Sequence, residues 1–138
     1  MSFGVKPKLI QPGAFLRAAD WRGAPGFGRK EKAMLRIYWV LIELVRDVRP
    51  VIDEIEKSDG DLARQCRRAM SSAPLNVAEG SHSQGRIRGA RYHTACGSLR
   101  EGLACLEVAA AWGYVKPVSD ELRARFDHVI GTLVKARR

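Results

Sequence analysis

The chain contains no apolar run approaching the ~20 residues needed to cross a bilayer, no Cys-x-x-Cys pair and no stretch of period-two alternation. A membrane span, a paired-cysteine metal site and a sheet are therefore not expected. Its opening, MSFGVKPKLIQPG, lacks a continuous apolar segment, so no secretory leader is expected. Cysteines are few. Cys66, Cys96 and Cys105 are odd in number and sit among alanines and leucines, which suits reduced core thiols in a cytoplasmic protein. Acids are also in short supply, with 15 against 24 Lys and Arg, a net charge of +9. That excess favours polyanions or acidic protein surfaces and carries no information about fold.

Catalytic patterns are missing too. His82, His93 and His128 are scattered, no Ser or Cys sits on a nucleophile turn, and the glycines form no phosphate-cradling loop. Glu79-Gly-Ser-His82 spells the Glu-x-x-His of di-iron bundles, but Glu101 is the one further carboxylate available, short of a full ligand set. No enzyme activity, cofactor or metal is expected.

At 138 residues the chain has the length of one domain with a real core. Residues 1–28 are punctuated by Pro and Gly and read as an irregular arm. Either it rests on its own domain, or its FLRAADW segment docks on a neighbour. From Arg29 to Arg138 the periodicity is helical, with helices at about 30–57, 60–82, 85–113 and 119–136. Four helices on short links predict an all-α, antiparallel up-and-down four-helix bundle. Pro50 falls within the first apolar stripe, so a kink is expected there. Pro74 lies in SSAPLNVAEG, where the stripe Leu62, Cys66, Ala69, Ala73, Asn76, Val77 and Gly80 keeps its phase, so a bend is favoured over a stop.

That second stripe is made largely of small residues, which lets another helix approach closely. The third helix offers a matching face in Ala90, Thr94, Gly97, Glu101, Ala104, Val108 and Trp112. A carboxylate on such a face is costly unless hydrogen-bonded. The expectation is an interhelical polar cluster of Asn76, Glu79, Ser98 and Glu101. The opposite side of the same helix carries Tyr92, Leu99, Leu103 and Leu106, a surplus apolar face expected to join copies into a homo-oligomer.

Between Arg64 and Arg100 lie seven arginines and a single acid, Glu79. Arg64, Arg67 and Arg68 fall on the outer side of the second helix, and Arg86, Arg88 and Arg91 open the third. Arginine suits bidentate phosphate contact, and no stacking strip or groove-reading motif accompanies it, so contact with RNA or DNA would be to the backbone. Two alternatives stay open: a solvated face with internal pairs, and an acidic protein partner.

QCRRAMSSAPLNVAEGS followed by ARYHTACGSLREGLACLEVAAAWGY resembles the four-helix-bundle proteins encoded by intervening sequences of bacterial 23S rRNA genes. The residues that carry the resemblance are Gln65, Arg68, Ala69, Asn76, Ala78, Glu79, Gly80, Ala95, Gly97, Ser98, Leu99 and Glu101. That family is similar in turn to the accessory variability determinant of diversity-generating retroelements. The resemblance implies a ring-shaped homopentamer with a basic surface, and a reverse transcriptase or another protein as partner. The function expected is a non-enzymatic, nucleic-acid-binding accessory factor. The alternative is a scaffold whose ring and N-terminal arm organise a protein partner.

Overall fold

The computed structural model describes residues 29–137, which form four α-helices with no strand among them. They are α1 (Arg29–Ser58), α2 (Gly60–Ser81), α3 (Gly85–Ala111) and α4 (Asp120–Ala136). The arm expected over residues 1–28 lies outside the described residues. Each helix packs on its neighbours in chain order and α4 returns to α1, while the α1/α3 diagonal makes little contact. This is the expected up-and-down bundle.

Local chemistry explains the boundaries. Asp59 caps α2 by accepting from the Leu62 amide at 2.9 Å, and Ser119 caps α4 by accepting from the Leu122 amide at 3.1 Å. Helix α3 ends at Gly113, whose φ of +80° is open to glycine at little cost. The Gly113 amide donates to the Ala110 carbonyl at 3.0 Å and the Tyr114 amide to that of Ala109 at 2.9 Å, which satisfies two orphan carbonyls. Both internal prolines lie within continuous helices, Pro50 in α1 and Pro74 in α2. Pro74 is itself buried, and SSAPLNVAEG continues the helix through it without a stop.

Helix α1 contributes Ile37, Leu41, Leu44, Val48, Ile52 and Ile55 to the core, and α4 contributes Phe126, Val129 and Leu133. Helix α2 buries the small-residue stripe read from its sequence: Cys66, Ala69, Ala73, Val77 and Gly80. Helix α3 departs from expectation. Tyr92, Leu99 and Leu106, assigned above to an oligomer interface, are buried in the protomer's own core, and Leu103 packs partly against it. Tyr92, Leu99 and Leu106 are thereby closed to a second copy. The small-residue face from Ala90 to Trp112 points outward instead. Side-chain volume decides the matter: against a helix as lean as α2, only the large residues of α3 can fill the space between.

Two glycines set the spacing of α2 and α3. A Cβ on Gly80 would stand 2.5 Å from Cε1 of Tyr92, and one on Gly102 would stand 2.5 Å from the Met70 sulfur. The two obstacles differ, since a buried tyrosine ring is fixed and a thioether end can swing.

The thiols are buried and free. Burial pushes Cys66 up from 9.0 to about 12, and burial likewise raises Cys96 and Cys105.

Two outcomes follow from this packing. Gly80→Ala should destabilise the fold by about 1 kcal/mol or more, because overpacking costs ~1–3 kcal/mol against a helix-propensity gain of ~1. Gly102→Ala should be near neutral, and urea unfolding of the two variants measures the difference. The folded thiols hold their protons more tightly than unfolded ones. Their contribution to stability is therefore intact below pH 9.0 and falls as pH rises toward about 12. Chemical unfolding across that window should show declining stability, and a thiol reagent at pH 8 should label the native protein far more slowly than the unfolded chain.

Candidate nucleic-acid interface

Helices α2 and α3 meet at a tight turn, His82 to Gln84, so the last turn of α2 and the first of α3 share one end of the bundle. Gly85 opens α3 with a φ of +57°, and Gln84 precedes it without a side-chain cap. Ser83 Oγ donates to the Glu79 carbonyl at 2.9 Å, and Arg88 Nε donates to the Ser83 carbonyl at 2.9 Å. The guanidinium of Arg88 is thus anchored by one nitrogen while the others remain available. Arg91 pairs with Glu79 at 2.9 Å and reaches the Asn76 Oδ1 at 3.5 Å. Arg86 is exposed and makes no ion pair among the described residues.

Antiparallel packing brings the C-terminal turn of α4 to this same end. Lys135, Arg137, Arg86 and Arg88 together border one open pocket, and no acidic side chain lines it among the described residues. Arg137 is hydrogen-bonded to the His93 ring. Reading the sequence had missed Lys135 and Arg137. The signal was present in the up-and-down topology, which sets the end of the last helix beside the start of the third.

Arg64, Arg67 and Arg68 sit elsewhere. Cys66 lies against the Gly102 carbonyl, which puts this group roughly 20 Å along the helix pair from Arg88. Arg64 pairs with Asp61. Arg67 donates to Asp53 at 3.0 Å and to Glu56 at 2.6 Å, bridging α2 to α1, and this contact holds the Glu56 carboxyl below its usual range. Two carboxylates thus answer the Arg67 charge, leaving little for a phosphate. Arg68 alone of the three makes no ion pair among the described residues. It borders a shallow cleft with Gln65, Ser72, Ser98 and Glu101.

The bundle is consequently polarised. Asp53, Glu54, Glu56, Asp59 and Asp61 crowd the α1–α2 end, with Asp120 and Glu121 opening α4 beside them. Arg86, Arg88, Lys135 and Arg137 occupy the other end.

The polar cluster forms around a different hub. Ser98 Oγ donates to Ser72 Oγ at 2.9 Å, and Asn76 Nδ2 donates to the Ser72 carbonyl at 2.9 Å and hydroxyl at 3.1 Å. Asn76 and Ser98 are joined through Ser72. Glu79 turns away to Arg91, and Glu101 is exposed at the cleft without a hydrogen bond to the others. The expected four-residue network is corrected accordingly. A charged carboxylate keeps its water where it can, while neutral hydroxyls tolerate the half-buried seam.

A basic, all-helical bundle with a polarised surface is the class that this geometry defines. The family model described as 23S rRNA-intervening sequence protein matches residues 33–135, and the chain belongs to that family. No curated protein and no solved structure gave a match. Among the described residues no helix is long and apolar enough to cross a membrane.

Proposed function

We propose that the protein is a non-enzymatic, homo-oligomeric accessory factor that binds RNA or DNA through backbone phosphates. The observation that carries this reading is the gathering of Arg86, Arg88, Lys135 and Arg137 at the bundle end opposite the α1–α2 turn, where no acid lines their pocket among the described residues. Arg68 adds a further cation on the flank. Arg64, Arg67 and Arg91, each already facing a carboxylate, contribute less. The family description, 23S rRNA-intervening sequence protein, is compatible with a nucleic-acid role.

Assembly is proposed through the outward face of α3 in place of the buried one. Ala90, Thr94, Gly97, Ala104, Val108 and Trp112 are exposed there, Trp112 at 68% and Val108 at 45%. Trp112 is braced by Tyr114, with stacked rings 6.5 Å apart. A face of this kind, flat and low in charge apart from Glu101, is suited to close helix contact between copies. The pentamer and the reverse-transcriptase partner implied by the family resemblance belong to this proposal.

Two measurements test it. Affinity for a mixed-sequence duplex and for a structured RNA should fall steeply between about 50 and 200 mM salt. Arg86→Glu with Arg88→Glu should cost about tenfold or more, and should flatten the salt slope by roughly 0.9 for each phosphate that the variant no longer neutralises. Arg64→Glu with Arg67→Glu should cost much less. Absence of binding at low salt would overturn the nucleic-acid reading and leave the scaffold alternative. Solution mass should be a multiple of 15.3 kDa, and Ala104→Glu should reduce it to one chain. A wild-type mass of 15.3 kDa would overturn the oligomer.

A further inference from the structure

The pocket at the basic end has a volume of about 640 Å³, within the usual range for small-molecule sites. Its walls differ in chemistry. Ala33 and Met34 of α1, with Ala136 of α4, supply an apolar side. Arg86, Arg88, Lys135 and Arg137 supply a cationic one. The first turn of α3 opens onto it at Gly85 and Arg86, with no side chain from Gln84 capping its amides. Those amides add the positive end of a 27-residue helix. The C-terminal end of α4 brings an opposing partial charge to the same rim, which the two full charges of Lys135 and Arg137 outweigh.

A second observation points to a ligand. Tyr92 forms part of the pocket wall and is 1% exposed, yet its hydroxyl finds no hydrogen-bond partner among the described residues. A buried hydroxyl without a partner carries a desolvation cost of roughly 1–3 kcal/mol. Phenylalanine would fill the same volume without it. The ring packs against Gly80; the hydroxyl on that ring calls for a polar group that the described residues do not provide.

We propose that this pocket binds a nucleotide, its phosphate held by the arginines, Lys135 and the α3 amides, and its base laid against Met34 and Ala136, within reach of the Tyr92 hydroxyl. Both the anionic and the flat apolar part of a nucleotide find a matching wall. The ligand is either a free mononucleotide or the phosphorylated end of a strand. This site does not rest on the backbone-binding reading, although it shares Arg86, Arg88, Lys135 and Arg137 with it.

The test uses the full chain with AMP and adenosine in isothermal titration calorimetry. AMP should bind at least about tenfold more tightly than adenosine, because charge-assisted contacts to phosphate are the stronger ones. Lys135→Gln with Arg137→Gln should remove most of that difference, both positions lying at the surface. Tyr92→Phe, which keeps the ring packing, should weaken AMP several-fold while leaving duplex affinity unchanged. A 5′-phosphorylated oligonucleotide compared with its 5′-hydroxyl twin separates the two sources. A preference for the phosphorylated strand assigns the site to strand ends, and equal binding with AMP retained assigns it to free nucleotide. Equal affinity for AMP and adenosine, or no AMP binding at millimolar concentration, overturns the proposal. Duplex binding that persists in that case leaves the backbone reading standing.

Discussion

Helices α2 and α3 lie against each other where side chains are nearly or wholly missing, and this close approach governs the remainder of the bundle. Gly80 leaves no room for a Cβ, Gly102 admits one only if the Met70 thioether swings aside, and Ala69 and Ala73 add a methyl each to the buried strip of α2. Such thin packing on one partner demands bulk on the other. Tyr92, Leu99 and Leu106 provide it, each buried side chain of this size contributing about 1.5–3 kcal/mol. The same proximity brings Ser98 to Ser72 and Cys66 to the Gly102 carbonyl. These polar atoms of the seam are thereby satisfied by neighbours across it, and the Tyr92 hydroxyl is an exception.

Charge is organised along the bundle axis and not around it. The acids that Arg67 meets belong to the final turns of α1, so the α1–α2 end is close to internally neutral. The opposite end concentrates cations from α3 and α4 around an uncapped helix start. On the proposed reading, an incoming polyanion would meet a field that orients it before contact, with one end attracting and the other indifferent.

Much of this was legible in the sequence. The helix limits followed from apolar periodicity, and the structure supplies their local reasons in the Asp59 and Ser119 caps and the Gly113 stop. The buried strip of α2 was readable because its other sides are polar. Helix α3 was misread for the opposite reason: with two apolar faces, periodicity cannot say which one is inside, and volume complementarity to α2 decides it. Glu101 added to the error by suggesting a buried carboxylate, whereas the helix had an exposed side ready for it. The arginines from Arg64 to Arg68 looked unopposed because their partners, Asp53 and Glu56, come from the preceding helix and lie outside that cluster. Lys135 and Arg137 were missed because the fold, and not sequence proximity, unites them with Arg86.

The hydrogen atom that stands for a side chain at Gly80 has an effect beyond its own helix. It lets the Tyr92 ring lie flush against the α2 backbone, where the aromatic serves as a fixed post between the interior and the cationic mouth. Shape at the mouth is in this way inherited from the tightest point of the interior. Any drift of residue 80 toward larger side chains would reshape the entrance without altering a single charge.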